Sequence, residues 1–143
     1  MKKLVLEPSY DNLIETFLKD SIGRSSDVCA FVDLLGNVED SCSVGLDGKW
    51  GAGKTFFVKQ MKLVLDAFNI NADFYKEEDA KKIREKYSVL MQNSNVDSIP
   101  EVTAYYDAWM HDDEEEPMLS LLYEIMKDNY NKYPDNSRSW SDI

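Results

Sequence analysis

At 143 residues, with 43% hydrophobic and 12% aromatic content, the chain can bury one core of ordinary size, which argues for one domain or a piece of one. A net charge of −11 and a pI near 4.5 argue against nucleic acid as principal ligand, because that affinity rests on clustered Lys and Arg. The two cysteines, Cys29 and Cys42, have neither the spacing of a redox or zinc pair nor the density of a disulfide scaffold, and are expected reduced and buried.

The start, Met1 to Glu7, holds too few apolar residues for a signal-peptide core, and no run approaches the roughly 18 apolar residues of a membrane span. These features suit the cytoplasm. From Asp11 to Ile22, Leu13, Ile14, Phe17 and Leu18 recur at helical spacing and predict an amphipathic helix. After a polar break, Ser26 or Asp27 can cap a second helix carrying Val28, Phe31, Val32 and Leu35, closed at Gly36-Asn37 by a left-handed residue. Residues 1–40 thus form a helical lead-in. Cys42, Val44 and Leu46 then predict a short strand over 42–47, with the small residues Ser43 and Gly45 between them.

Where that strand ends, Gly48-Lys49-Trp50-Gly51-Ala52-Gly53-Lys54-Thr55 satisfies the pattern G-x-x-x-x-G-K-[ST] of a phosphate loop. Each residue type has a mechanical reason. Consecutive backbone N–H groups must wrap a triphosphate, which needs glycines for unusual dihedrals and close approach. A helix starting near Lys54 directs its unpaired N–H groups, Phe56 included, at the phosphates, while the Lys54 ammonium reaches the β and γ oxygens. Thr55 offers its hydroxyl to magnesium. ATP with Mg2+ is the expected ligand, and Lys54 the expected catalytic residue. The helix continues through Phe57, Met61, Val64, Leu65 and Phe68.

Residues 77–92 read as a solvated helix, with Glu77 and Lys81, and Glu78 and Lys82, placed for weak surface pairing. Val102 to Tyr106 is β-prone and predicts a second strand over 102–107, parallel to the first because a helical crossover joins them. Asp107 at its end is open to two readings. It could hold magnesium through water, or it could cap the turn while Trp109 packs in the core. The acids Asp112 to Glu116 read as a solvated loop, and Pro117 opens a helix bearing Met118, Leu121, Leu122, Ile125 and Met126. His111 is the only histidine, and neither a histidine-rich metal site nor a Ser-His-Asp triad is expected. Arg24, Arg84 and Arg138 read as surface residues rather than arginine fingers. The tail over 130–143 shows no clear period.

The segment from Val44 to Phe57, with Asp47 and Trp50, resembles the phosphate loop of the KAP family of P-loop NTPases. The block Tyr105-Tyr106-Asp107-Ala108-Trp109, followed by acids and Pro117 to Leu122, is similar to that family's strand ending in Asn-Ala-Trp and its next helix. Asp107 departs from the asparagine common there. The resemblance implies an α/β, Rossmann-like fold with a parallel sheet and flanking helices over 41–129. It also implies a Walker B strand ending in Asp-Asp, which the sequence does not contain, so an incomplete domain of a larger ATPase is expected. Many members are membrane-associated, and further domains or subunits are the partners implied. The expected function is ATP binding in an ATPase whose hydrolysis changes the arrangement of other domains. A small-molecule kinase and a non-catalytic nucleotide-binding module are the alternatives, and this chain alone is expected to hydrolyse ATP weakly or not at all.

Overall fold

A computed structural model describes residues 7–69, 76–94, 96, 99 and 102–129. Five helices follow one another among them: α1 (Tyr10–Lys19), α2 (Ser25–Gly36), α3 (Lys54–Phe68), α4 (Glu77–Leu90) and α5 (Pro117–Asn129). Helix α3 packs on α1, α2 and α4, and α4 closes the group by touching α1 and α2 as well. The core is the set of apolar faces these four helices turn inward: Phe17 from α1, Val28 and Val32 from α2, Val64 from α3 and Ile83 from α4 are each fully or almost fully buried.

Local chemistry sets the corner between the first two helices. The Ser9 hydroxyl caps α1 by accepting the Asn12 N–H, and Asp20 ends it in the left-handed region at φ 51°. Its carboxylate then accepts the Ser25 N–H at 3.1 Å, which opens α2 and holds that carboxyl below its usual range. The buried Ser25 hydroxyl donates to the Phe17 carbonyl at 2.8 Å, tying the corner to α1. Gln60 ties α3 to α1 in the same manner: its buried amide donates to the Leu13 carbonyl at 3.0 Å and to the Thr16 hydroxyl at 3.1 Å. A buried amide so satisfied fixes the axial position of one helix against another.

Several expectations are corrected. The described residues form no strand, so the α/β fold with a parallel sheet is overturned by an all-helical arrangement. A strand exists by virtue of its ladder. Neither 42–47 nor 102–107 has one among the described residues; Val44 is 53% exposed, and 102–107 lies along α3 through side-chain contacts instead. The phosphate loop therefore leads into a helix without following a strand. Helix α4 is no solvated helix: Ala80, Ile83 and Tyr87 are buried, a narrow stripe at helical spacing among many charges. On its surface Lys82 stands 3.9 Å from Glu78, while Glu77 pairs with Arg84 at 2.7 Å. Asn37 is not left-handed, at φ −104°; its side chain donates to the Asp33 carbonyl and closes α2 that way. Cys42 is exposed, because the segment that carries it is unpaired, while Cys29 is buried. The apolar stripe of α5 faces outward, with Met118 and Leu122 exposed. The tail at 130–143, with Arg138, lies outside the described residues. Among the described residues no helix is long and apolar enough to cross a membrane.

Two outcomes follow. Ile83→Ala should cost about 3 kcal/mol in urea unfolding, the scale of a buried aliphatic truncation, whereas a solvated α4 would lose under about 0.5 kcal/mol. Burial pushes the Cys29 thiol up to about 12, so in the folded chain a thiol reagent near neutral pH should label Cys42 and leave Cys29 untouched until denaturant is added. Equal labelling of both in the native state would show the α2 packing to be wrong.

Candidate functional site

The loop over 48–55 owes its shape to two glycines in the left-handed region, Gly51 at φ 78° and Gly53 at φ 86°. A side chain at either position would be strained. The Ala52 N–H closes a turn on the Lys49 carbonyl at 3.0 Å, and the Asp47 carboxylate accepts the Gly48 N–H at 2.8 Å. Gly53 is the N-cap of α3, and no side chain caps that end. An uncapped first turn leaves backbone N–H groups without acceptors and presents the positive end of the helix dipole, which attracts an anion. Lys54 leans back over the loop: its ammonium donates to the Gly48 carbonyl at 2.5 Å and to the Lys49 carbonyl at 3.1 Å. An ammonium has three protons, so one more acceptor can be taken without breaking either contact.

Thr55 is exposed, and its hydroxyl meets the phenol of Tyr105. Burial raises the Tyr105 pKa, as does the nearby Asp107 carboxylate, while the hydrogen bond from Thr55 works in the opposite sense. The Lys59 ammonium sits 4.8 Å from the centre of the same ring. About two turns of helix further on, the Thr103 hydroxyl donates to Asp66, whose other oxygen pairs with Lys62 at 2.8 Å. Residues 103 to 105 thus run along α3 toward its N-terminus and deliver Asp107 on the loop side of the molecule.

Asp107 accepts the Trp109 N–H at 3.0 Å and so caps the turn it begins. Trp109 does not pack in the core. It is 77% exposed and meets the 91% exposed Trp50 edge to face, with centroids 6.3 Å apart. A core that the first four helices already fill leaves this turn at the surface. Lys49 and Trp50 are exposed, whereas Phe56, 4% exposed, has its ring in the core and only its N–H at the loop. Thr55 stands at the helix end, but among the described residues no three His, Cys, Asp or Glu side chains gather into a metal site. His111 stacks on Tyr106 and contacts Glu114 at 2.9 Å and Glu124 at 3.6 Å. The acids Asp112 to Glu116 are exposed. Arg84 is committed to the fold through the Ala67 carbonyl and Glu77, and Arg24 pairs with Asp27 at 2.9 Å.

Sequence reasoning placed Tyr105 in a β-prone run and missed its contact with Thr55; its place two residues before Asp107 was the signal available. It also missed a cleft of about 390 Å3 between α2, α3 and the loop, with Arg24, Asp27 and Phe31 on its far wall. Those residues are distant from 48–55 in sequence, and only the packing of α2 on α3 brings them there.

A search of the curated proteins found no match, and neither did a search of the solved structures. The chain does match the KAP family P-loop domain over residues 25–140, a span that includes the loop, the turn after Asp107 and the helices between. Two glycines in the left-handed region, a lysine drawn over the loop, an uncapped helix start and this match together show that the chain belongs to the KAP family of P-loop NTPases.

Proposed function

We propose that residues 48–56 hold the phosphates of ATP with magnesium, as part of an ATPase whose turnover rearranges the larger protein. Family membership supports nucleotide binding in general. The observation that carries the finer reading is the Lys54 ammonium, poised over the loop at the uncapped start of α3 with a donor to spare.

The residues present fit the group. The N–H groups of the first turn of α3 would bind phosphate oxygens, and Gly51 and Gly53 let the backbone approach without a side chain in the way. Lys54 would orient the terminal phosphates and offset charge on them. Tyr105 holds the Thr55 hydroxyl at the helix start, a side-chain oxygen suited to magnesium. Magnesium keeps several waters in such sites and needs few protein ligands, so the lack of a three-residue cluster among the described residues is compatible with it. Bound ATP would supply the transferable phosphoryl group. Asp107 is kept as a second magnesium candidate, held on the loop side by the run of 103 to 105 along α3.

A non-catalytic nucleotide-binding module is the second reading, favoured by one observation: Arg84 is held by the Ala67 carbonyl and Glu77, so it is not free to meet charge developing on a leaving phosphate.

Lys54→Ala should weaken ATP binding by about 2 kcal/mol, the scale of losing charge-assisted hydrogen bonds, as read by calorimetry with magnesium present. Unchanged affinity would defeat the proposal. Hydrolysis by the 143-residue chain should be slow, on the order of 10⁻³ per second or less, since a phosphate cradle alone neither orients water nor neutralises the leaving group. Phosphate release near 1 per second that Lys54→Ala abolishes would instead promote Asp107 to the magnesium site.

A further inference from the structure

We propose that the base of the nucleotide lies in the cleft between α2 and α3, against Phe31 and Phe57, with Arg24 and Asp27 at its rim. The inference rests on the reading of residues 48–56 as the phosphate site. The cleft is continuous with that loop, since Gly48, Gly53 and Lys54 form one of its walls. Its volume of about 390 Å3 falls within the range of small-molecule sites, roughly 300 to 1,000 Å3.

Its lining changes character away from the loop. Phosphate needs backbone N–H groups and cations, yet the lining also carries Ile22, Ala30, Phe31 and Phe57, surfaces that suit a flat, weakly hydrated ring. Phe31 does not belong to the buried core of the described residues; it is half-buried and meets Phe57 edge to face, with centroids 5.7 Å apart and planes at 84°. In that arrangement the two rings present different surfaces, so a planar ligand can stack on one and meet the edge of the other. Gln60 also borders the cleft, but its amide N–H groups are spent on Leu13 and Thr16, which makes it floor rather than reader.

The rim supplies the polar edge. Arg24 and Asp27 form an exposed pair at 2.9 Å, with 66% and 53% of their side chains open to solvent. Surface pairs of this kind are weak, so both groups can turn to a ligand at little cost. Together they offer donor N–H groups and acceptor carboxylate oxygens, matching the mixed hydrogen-bonding edge of a purine.

The experiment compares two probes by calorimetry, magnesium ATP and magnesium tripolyphosphate, on the wild-type chain, Phe31→Ala, Ala30→Trp and Lys54→Ala. Ala30 is exposed on α2, so the tryptophan fills the cleft without entering the core. Both cleft variants should lose about tenfold in ATP affinity, the scale of one base–aromatic stack, while tripolyphosphate binding stays unchanged. Wild-type protein that binds the two probes equally, or cleft variants that keep full ATP affinity, would overturn the assignment. So would an equal loss for both probes, which would mean that the substitutions disturb the loop. If instead Lys54→Ala leaves tripolyphosphate binding intact, it is the phosphate-site reading that fails.

Discussion

Burial of one face of α3 is the constraint on which the other features depend. Phe56, Gln60, Leu63, Val64, Ala67 and Phe68 are all buried, and they meet α1, α2 and α4 at once. Burial of this kind stabilises by about 1.5 to 3 kcal/mol for each large apolar side chain, so α3 has little freedom to rotate or slide. The Gln60 amide removes what remains, because any slippage would leave it unpaired in the core. The first turn of α3 is thereby held still, and the loop that ends at Gly53 inherits its position. A helix N-terminus that binds an anion gains from being held before the anion arrives, since no ordering is then left for binding to offset.

The second link runs along the outside of that helix. Thr103 on Asp66, the Lys59 ammonium on the Tyr105 ring, and the Tyr105 phenol on Thr55 are three contacts in order from the C-terminal half of α3 to its start. They join two blocks that lie about fifty residues apart in sequence, an interval read from the numbering of Thr55 and Tyr105. The Trp50–Trp109 contact joins the same two blocks a second time, at the surface. An event at the loop and a change in the turn after Asp107 are therefore mechanically connected through side chains rather than through a backbone ladder. This bears on any larger assembly, because the turn leads through the exposed acids into α5, whose apolar residues face outward.

The parts legible in the sequence are those governed by local rules. Helical spacing gave the cores of α1, α2 and α3, Pro117 marked the start of α5, and the glycine pattern marked the loop, because each depends on residues within a turn or two. Helix α4 was visible but its burial was not. Ala80, Ile83 and Tyr87 are only three apolar positions among charges, and their weight comes from the neighbours they meet. The expected sheet rested on β-propensity at 42–47 and 102–107, which expresses how well a side chain fits a pleated and half-buried surface. Without a ladder, that preference has nothing to act on, and the Tyr105 and Thr103 side chains find partners on α3 instead. Trp109 misled for a related reason: large aromatics are usually buried, but this one stands 77% exposed and finds its ring partner, Trp50, at the surface.

A chain of net charge −11 is an unpromising host for a polyanion, and the proposed phosphate site at residues 48–56 would have to meet that conflict locally. Long-range repulsion is limited by salt, which screens exposed charges beyond about 8 Å at physiological ionic strength. Within that distance the local sign decides. The positive groups at the start of α3 are the helix dipole, Lys54 over the loop, and Lys59 one turn further on, held by the Tyr105 ring. Asp47, just before the loop, accepts the Gly48 N–H, which places its charge in the service of the loop's own backbone. Many acids lie elsewhere, several in pairs with lysine or arginine on α1, α2 and α4. Net charge thus argues against a broad, diffuse contact such as a nucleic-acid backbone. It did not exclude a compact one, because a triphosphate is short enough to sit within the field of a single helix end.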